Sequence, residues 1–368
     1  MRGTPMSSRP LPVGHHALSL WRPGGVLAMA IALVVVVAGC APAAPSAAGA
    51  PTASAAATVS KPTAASPLKI AMILPGPTQD ADYNAVGAQA LDAVKKQTGA
   101  DTTYSESVAV ADAERVAREY LNSGSNVIVF HGGQFLTIVQ KLAPAFPDAT
   151  FVMESSGKIP DLPPNVWNIG RKFYQGFYAL GVLAAATTQT KQVGYVAGVK
   201  LPDFVASLNA IKQAADDTAP GTKVVYQFVG DQNDPVKARE TTATQINSGV
   251  DFVVVSVNLG VNGVAEAAKA APKPVFFTTY YTEKRELAPD RLTVSLLSDF
   301  STPYVQIMKS VQSGTRGGYV EMRPGNGFTL SEIRNVPPEA AKKAQDAFDA
   351  VASGNKEVAE VADRIVGE

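Results

Sequence analysis

Few residue types in this chain could do covalent chemistry. Cys40 is its only cysteine. Beyond His15 and His16, which lie in a basic, apolar leader, His131 is its only histidine. That pair does not supply a protein-built zinc site or a Cys–His nucleophile. Ser155 and Lys158 stand in S-x-x-K spacing, which could serve acyl transfer. The S-D-N partner of such a pair reads only Ser298-Asp299-Phe300, and no K-T-G occurs. G-x-S-x-G and G-x-x-x-x-G-K-[ST] are also missing from the sequence. The chemistry left is recognition without turnover: no enzyme and no cofactor are expected.

The recognition candidates sit where apolar runs give way to polar loops. Residues 69–84, KIAMILPGPTQDADYN, begin as a short apolar strand and turn abruptly to loop chemistry. Asp80, Asp82, Tyr83 and Asn84 close that loop before a helix-period segment at 85–96. His131-Gly132-Gly133-Gln134 follows another strand run and opens a helix. Glycines there let backbone N–H groups approach a ligand, though the same run suits a plain tight turn. Lys200 and Phe204 flank Pro202 in a third strand-to-helix loop. Phe173 and Gln175 open an aromatic helix. Asp234 suits an N-cap as well as a ligand group. Asn258, Tyr280, Ser298 and Asp299 follow later strand runs and complete the set.

Those loops need strands and helices to hold them. Apolar strand candidates fall at 70–74, 127–130, 150–153, 193–196, 224–229, 252–257, 275–278 and 292–297. Helix-period segments separate them, at 111–122, 135–145, 175–188, 202–218, 235–248, 262–270 and 302–313. Strands alternating with helices of this length predict parallel sheets in a doubly wound α/β architecture. The unit is also written twice. Asn122-Ser123-Gly124 precedes one strand run, and Asn247-Ser248-Gly249 precedes another, each glycine standing where a helix ends. Two similar halves predict two lobes with a cleft between them, where small-ligand sites concentrate.

The ends and the charge set the setting. Residues 1–39 carry Arg2, Arg9 and Arg22, no acid, and an apolar run from 24 to 37. That is the pattern of a secretory signal. Val37-Ala38-Gly39-Cys40 resembles a bacterial lipobox, which implies cleavage before Cys40 and a lipid on its thiol. Residues 40–67 are Ala, Pro, Ser, Thr and Gly with little else, a flexible tether by composition. Lysines and arginines equal aspartates and glutamates at 32 each. The absence of a basic stripe speaks against nucleic acid as a partner.

Taken in order, 69–84, Asp112-Ala-Glu-Arg115, Gly176-Phe-Tyr-Ala-Leu-Gly181, Val193-Gly-Tyr-Val-Ala-Gly198, Asp234-Pro-Val-Lys237 and 354–358 resemble the basic membrane lipoprotein family, which includes the purine-nucleoside receptor lipoproteins. The resemblance implies a type I periplasmic-binding-protein fold. Its two doubly wound parallel-sheet lobes would be 68–170 plus 285–316 and 171–284 plus 317–368. They would be joined by three crossovers near 168–171, 279–285 and 314–319. It implies a monomeric, membrane-tethered receptor that closes on a nucleoside, nucleobase or related solute and delivers it to an ABC permease with its ATPase. Asp80, Tyr83 and Asn84 match the family's D-x-x-aromatic-N motif, whose aromatic ring stacks on the base while its neighbours hold the sugar. At 279–281, where many relatives carry an acid, this chain has Thr279-Tyr280-Tyr281. Asn233 replaces an aromatic residue, and Gln175 a glutamate. A lipoprotein that senses the same ligand and signals to a membrane partner is the alternative, since the cleft would be the same.

Overall fold

The structure, a computed structural model, describes residues 67–368. The expected signal segment, the expected lipidation site Cys40 and the tether up to residue 66 lie outside the described residues.

The chain runs through one alternating pattern twice. The first run is β1 (Lys69–Ile73), α1 (Tyr83–Thr98), β2 (Asp101–Ser105), α2 (Val110–Asn122), β3 (Val127–Phe130), α3 (Leu136–Ala145), β4 (Thr150–Ser155) and β5 (Val166–Arg171). The second begins with α4 (Phe173–Thr187) and β6 (Gln192–Ala197). It continues with α5 (Pro202–Thr218), β7 (Lys223–Phe228), α6 (Pro235–Asn247), β8 (Phe252–Ser256), α7 (Val261–Ala270), β9 (Phe276–Tyr281) and β10 (Leu292–Ser298). Then come α8 (Ser301–Gln312), β11 (Gly318–Pro324), β12 (Gly327–Leu330) and α9 (Pro338–Ala352).

The strands line up as β2-β1-β3-β4-β5 in one half and β7-β6-β8-β9-β10 in the other. Both halves are therefore the same doubly wound parallel sheet, with the order reversing between β1 and β3 and between β6 and β8. Loops leaving the carboxyl ends of strands at such reversals diverge and leave a crevice. β1 shows why an unbroken apolar run fits here. Ile70 and Met72 enter the core cluster on one face, Ala71 and Ile73 the cluster on the other, and all four are buried. The edge strand β2, Asp-Thr-Thr-Tyr-Ser, has one neighbour and exposed or half-buried side chains, so no apolar run announced it.

Two strands lie in the other half from the one expected. β10 pairs parallel with β9, so 292–298 belongs with the second sheet. β11 pairs parallel with β5 through Gly318–Trp167 to Met322–Arg171, so 318–322 belongs with the first. Helix α8 packs on α1, so 301–312 lies with the first half. The chain thus changes halves between β5 and α4, between β10 and α8, and between β11 and β12. Only the first change falls near its expected place. Alternation along the sequence orders the elements, but pairing partners are set by side chains far apart in the chain. β11 and β12 pair parallel through two residue pairs, Arg323 with Gly327 and Pro324 with Phe328, which is where strand pairing passes from one sheet to the other. Gly325 and Gly327, with φ of 76° and 89°, make the turn between them.

Candidate ligand-binding site

Loops from the carboxyl ends of both sheets meet at one shielded cluster. From the first half come Asp82 and Tyr83 at the start of α1, His131 after β3, Glu154 in β4 and Arg171 at the end of β5. The second half supplies Asp203 in the first turn of α5, Tyr280 and Tyr281 at the end of β9, and Lys284 just beyond. Tyr304 and Phe300, around the start of α8, wall one side.

His131 is fully buried and held from several directions. Its ring stacks on Tyr83 with centroids 3.9 Å apart and planes 20° from parallel. Nε2 lies 2.8 Å from the Tyr83 carbonyl oxygen, and Nδ1 lies 2.5 Å from Glu154 Oε1. The Tyr304 hydroxyl also lies 2.9 Å from Nδ1, so neither ring nitrogen is left without a polar neighbour. Gly87 in α1 makes room for it: a Cβ there would fall 2.7 Å from Nε2. The Glu154 carboxylate also accepts from Tyr83 Oη at 2.8 Å and from the Tyr304 hydroxyl, while Arg171 Nη1 stands 3.5 Å away. Burial alone would push its carboxyl up, but His131, Arg171 and Tyr304 together hold it below the usual range.

Across the contact between halves, Lys284 Nζ donates to Asp82, to the Tyr280 carbonyl at 2.7 Å and to Thr282 Oγ1 at 3.0 Å. Thr282 Oγ1 in turn donates to the Ala81 carbonyl at 2.6 Å. Burial pushes the Asp82 carboxyl up to about 6, although Lys284 opposes it. Burial lowers Lys284 in the same way, against Asp82. Arg171 Nη2 donates to Asp203 Oδ2 at 2.9 Å. Burial raises the Asp203 carboxyl despite that partner. Two residues at this seam hold a left-handed backbone without being glycine: Ala81 at φ 57° and Tyr281 at φ 68°. Such conformations persist only where surroundings over-determine them, and they cluster at binding sites.

Tyr83, His131, Phe173 and Tyr280, all singled out from the sequence, are brought together here. Phe173 stacks on Phe328 at 4.9 Å and meets Tyr280 and Tyr281 edge-on. Asn258 Oδ1 accepts from Tyr280 Oη at 2.8 Å. Ser298 Oγ and Gln175 Oε1 are buried without a hydrogen-bond partner. Phe204 is buried in the core, where its carbonyl accepts from Tyr195.

Other candidates are occupied by local structure. Asp80 uses both oxygens on the start of α1, accepting from the backbone of Asp82, Asn84 and Ala85 and from Asn84 Nδ2. Asn84 completes the brace through Gly76 N at 3.0 Å. Asp234 caps α6 by accepting from Lys237 N, and Asp299 accepts from Ser301 N and Thr302 Oγ1 at the start of α8. Gly132, at φ 142°, shapes the turn into Gly133, whereas Gln134 and Lys200 are exposed. The Ser155 hydroxyl donates to Gly157 O and accepts from Asn168, while Lys158 lies over the Tyr319 ring.

Glu154, Arg171, Asp203, Tyr281, Lys284 and Tyr304 were not singled out from the sequence. Glu154 directly follows the apolar run 150–153, so position alone was a usable signal for it, whereas Arg171 and Tyr281 end strands β5 and β9 that were missed or read too short. Nothing local marks Tyr304, which arrives on a helix from elsewhere in the chain.

A family model described as ABC transporter substrate-binding protein PnrA-like matches residues 68–323. The chain belongs to that family. It is 26% identical over 304 residues to a purine-binding protein of Brucella abortus (strain 2308), covering 79% of this chain and 83% of that one. It is 20% identical over 235 residues to basic membrane protein A2 of Borrelia garinii subsp. bavariensis, covering 63% and 68%. The fold matches a solved ABC transporter solute-binding protein from Conexibacter woesei with TM-score 0.65 and 23% identity, over 80% of this chain and 99% of the other. This member of the substrate-binding family thus has the two-sheet body of solute-binding proteins of the type I fold. Among its described residues no helix is long and apolar enough to cross a membrane.

Proposed function

We propose that this chain is the extracytoplasmic, lipid-anchored receptor of an ABC importer, and that it closes its two lobes over a purine base or nucleoside. Cys40 would carry the anchor, and residues 68–368 would form the lobes. No bond in the solute is made or broken, and a separate ATPase drives transport. The observation that carries this reading is the convergence of strand tips from both halves on one shielded, aromatic and charged cluster. A planar ring suits its walls, Tyr83, Phe173, Tyr280 and Tyr281, because stacking on such rings is worth ~1–3 kcal/mol per base. The purine-binding relative supports the choice of solute.

The test is isothermal titration of the full chain against purine bases, purine nucleosides and hexoses. Saturable binding of a purine, with none of hexoses, is expected. Binding of hexoses alone would remove the purine reading, and the absence of any binding would remove the receptor reading as well.

A further inference from the structure

Resting on the receptor reading above, we infer that Arg171 and Asp203 select the ligand. They take an uncharged planar group that presents an acceptor beside an N–H donor, as on the cyclic amide or amidine edge of a heteroaromatic base. The two side chains come from opposite halves, Arg171 from the end of β5 and Asp203 from the first turn of α5. An arginine offers Nε–H and one Nη2–H along a single edge, and a carboxylate meets that edge with two parallel bonds. Here half the fork is made, Nη2 to Oδ2 at 2.9 Å. Arg171 Nε and Asp203 Oδ1 are both buried and neither makes a hydrogen bond of normal length, the Ser156 side chain being the other polar group beside Asp203. Buried polar groups are almost always paired, so a donor and an acceptor left open on one ion pair call for a third group between them. That group's acceptor would take Nε–H, and its own N–H would go to Oδ1.

The surroundings fix the shape of that group. The Arg171 guanidinium lies over the rings of Tyr83 and Phe173, 5.5 Å and 5.4 Å from their centroids. A group meeting the open half of the fork in the plane of the guanidinium would lie beside those rings, which favours a flat edge. They also fix its charge. Glu154 is matched by His131 and Arg171, Asp203 by Arg171, and Asp82 by Lys284. Asp80 is matched by three backbone N–H groups at the start of α1. Arg171 is shared by Glu154 and Asp203, so an anionic ligand would enter this site with no free cation left to meet it. Because the edge touches both halves, the same two contacts that select the ligand also tie the halves together.

The full chain would be titrated with hypoxanthine, its 1-methyl and 9-methyl forms, and inosine 5′-monophosphate. We expect hypoxanthine to bind and the doubly charged monophosphate not to. Methylation of whichever N–H enters the fork should cost on the order of tenfold or more in affinity. Asp203→Asn and Arg171→Lys should each lose a comparable factor for hypoxanthine and lose the discrimination against the methylated base. If hypoxanthine and both methylated forms bind the unaltered chain equally, the inference is overturned while the receptor reading stands, whatever the variants do. Tight binding of the monophosphate overturns it too. A chain silent toward all four compounds removes the purine reading and this inference with it.

Discussion

His131 has no free ring nitrogen, and its partner Glu154 is a fully buried carboxylate. Removing His131 takes one polar partner from a buried carboxylate that keeps Arg171, Tyr83 and Tyr304, at a cost of up to ~3 kcal/mol. His131→Phe is expected to lose about that much in urea unfolding, and adding Glu154→Gln should recover a large part. A double variant no more stable than the single one would mean that His131 acts through shape alone. Tyr83 has two roles. Its ring faces the cluster, and its hydroxyl donates to Glu154. Tyr83→Phe should keep most ligand affinity but lose ~1–2 kcal/mol of unliganded stability, because a buried carboxylate loses a donor. Tyr83→Ala should weaken binding by ~1–3 kcal/mol through lost stacking and destabilise the unliganded chain as well. The resemblance implies only a stacking role for Tyr83. The stack on His131 and the bond to Glu154 change that.

At the scale of elements, the start of α1 meets the loop after β9 through Asp82 and Lys284. Burial raises the Asp82 carboxyl from an ordinary 3.8 to about 6 in the folded state. An acid raised on folding binds its proton more tightly in the native state. The stability it adds is complete below 3.8 and is lost as pH rises through about 6. Relative to Asp82→Asn, the unaltered chain should therefore gain stability, on the order of 2 kcal/mol, as pH falls from about 7 to about 4. Urea midpoints measured across that window check this, and parallel curves for the two proteins would contradict it.

A second element-scale device is the segment after α9, which lies along α5. Asn209 Nδ2 donates to the carbonyls of Val361 and Arg364 at 2.7 and 2.8 Å, and its Oδ1 accepts from Val366 N at 2.9 Å. Gln213 and Lys212 continue the row, and Lys356 pairs with Asp217 at 2.8 Å. Asn209→Ala should cost ~1–3 kcal/mol and speed trypsin cleavage after Arg364. Unchanged digestion would show that the other contacts hold the segment by themselves.

At the scale of the molecule, two parallel sheets of equal order are joined by three chain crossings and by two residue pairs between β11 and β12. With so little strand pairing between the sheets, and Asp82–Lys284 and Arg171–Asp203 as side-chain contacts across the seam, we expect hinge motion in response to a ligand that bridges the halves. Small-angle scattering of the full chain should show a smaller radius of gyration once the cognate solute is added. An unchanged curve at saturating solute would argue against closure.

The sequence by itself determined the strands that are apolar on both faces, and the helices between them. The run 70–74 appears as β1 one residue earlier, and 202–218 appears as α5 without change. Burial on both faces and helical period are local properties, so they survive without knowledge of partners. Tyr83 and His131 were legible for a related reason: each follows such a strand. The tertiary structure alone decided that β10 joins β9 and β11 joins β5, because pairing depends on contacts distant in sequence. It also decided which polar groups brace a helix and which stay open. Asp80 and Asp203 look alike in sequence, each near the start of a helix. One is saturated by backbone N–H groups, whereas the other keeps an unpaired oxygen beside an arginine carried in from the opposite half.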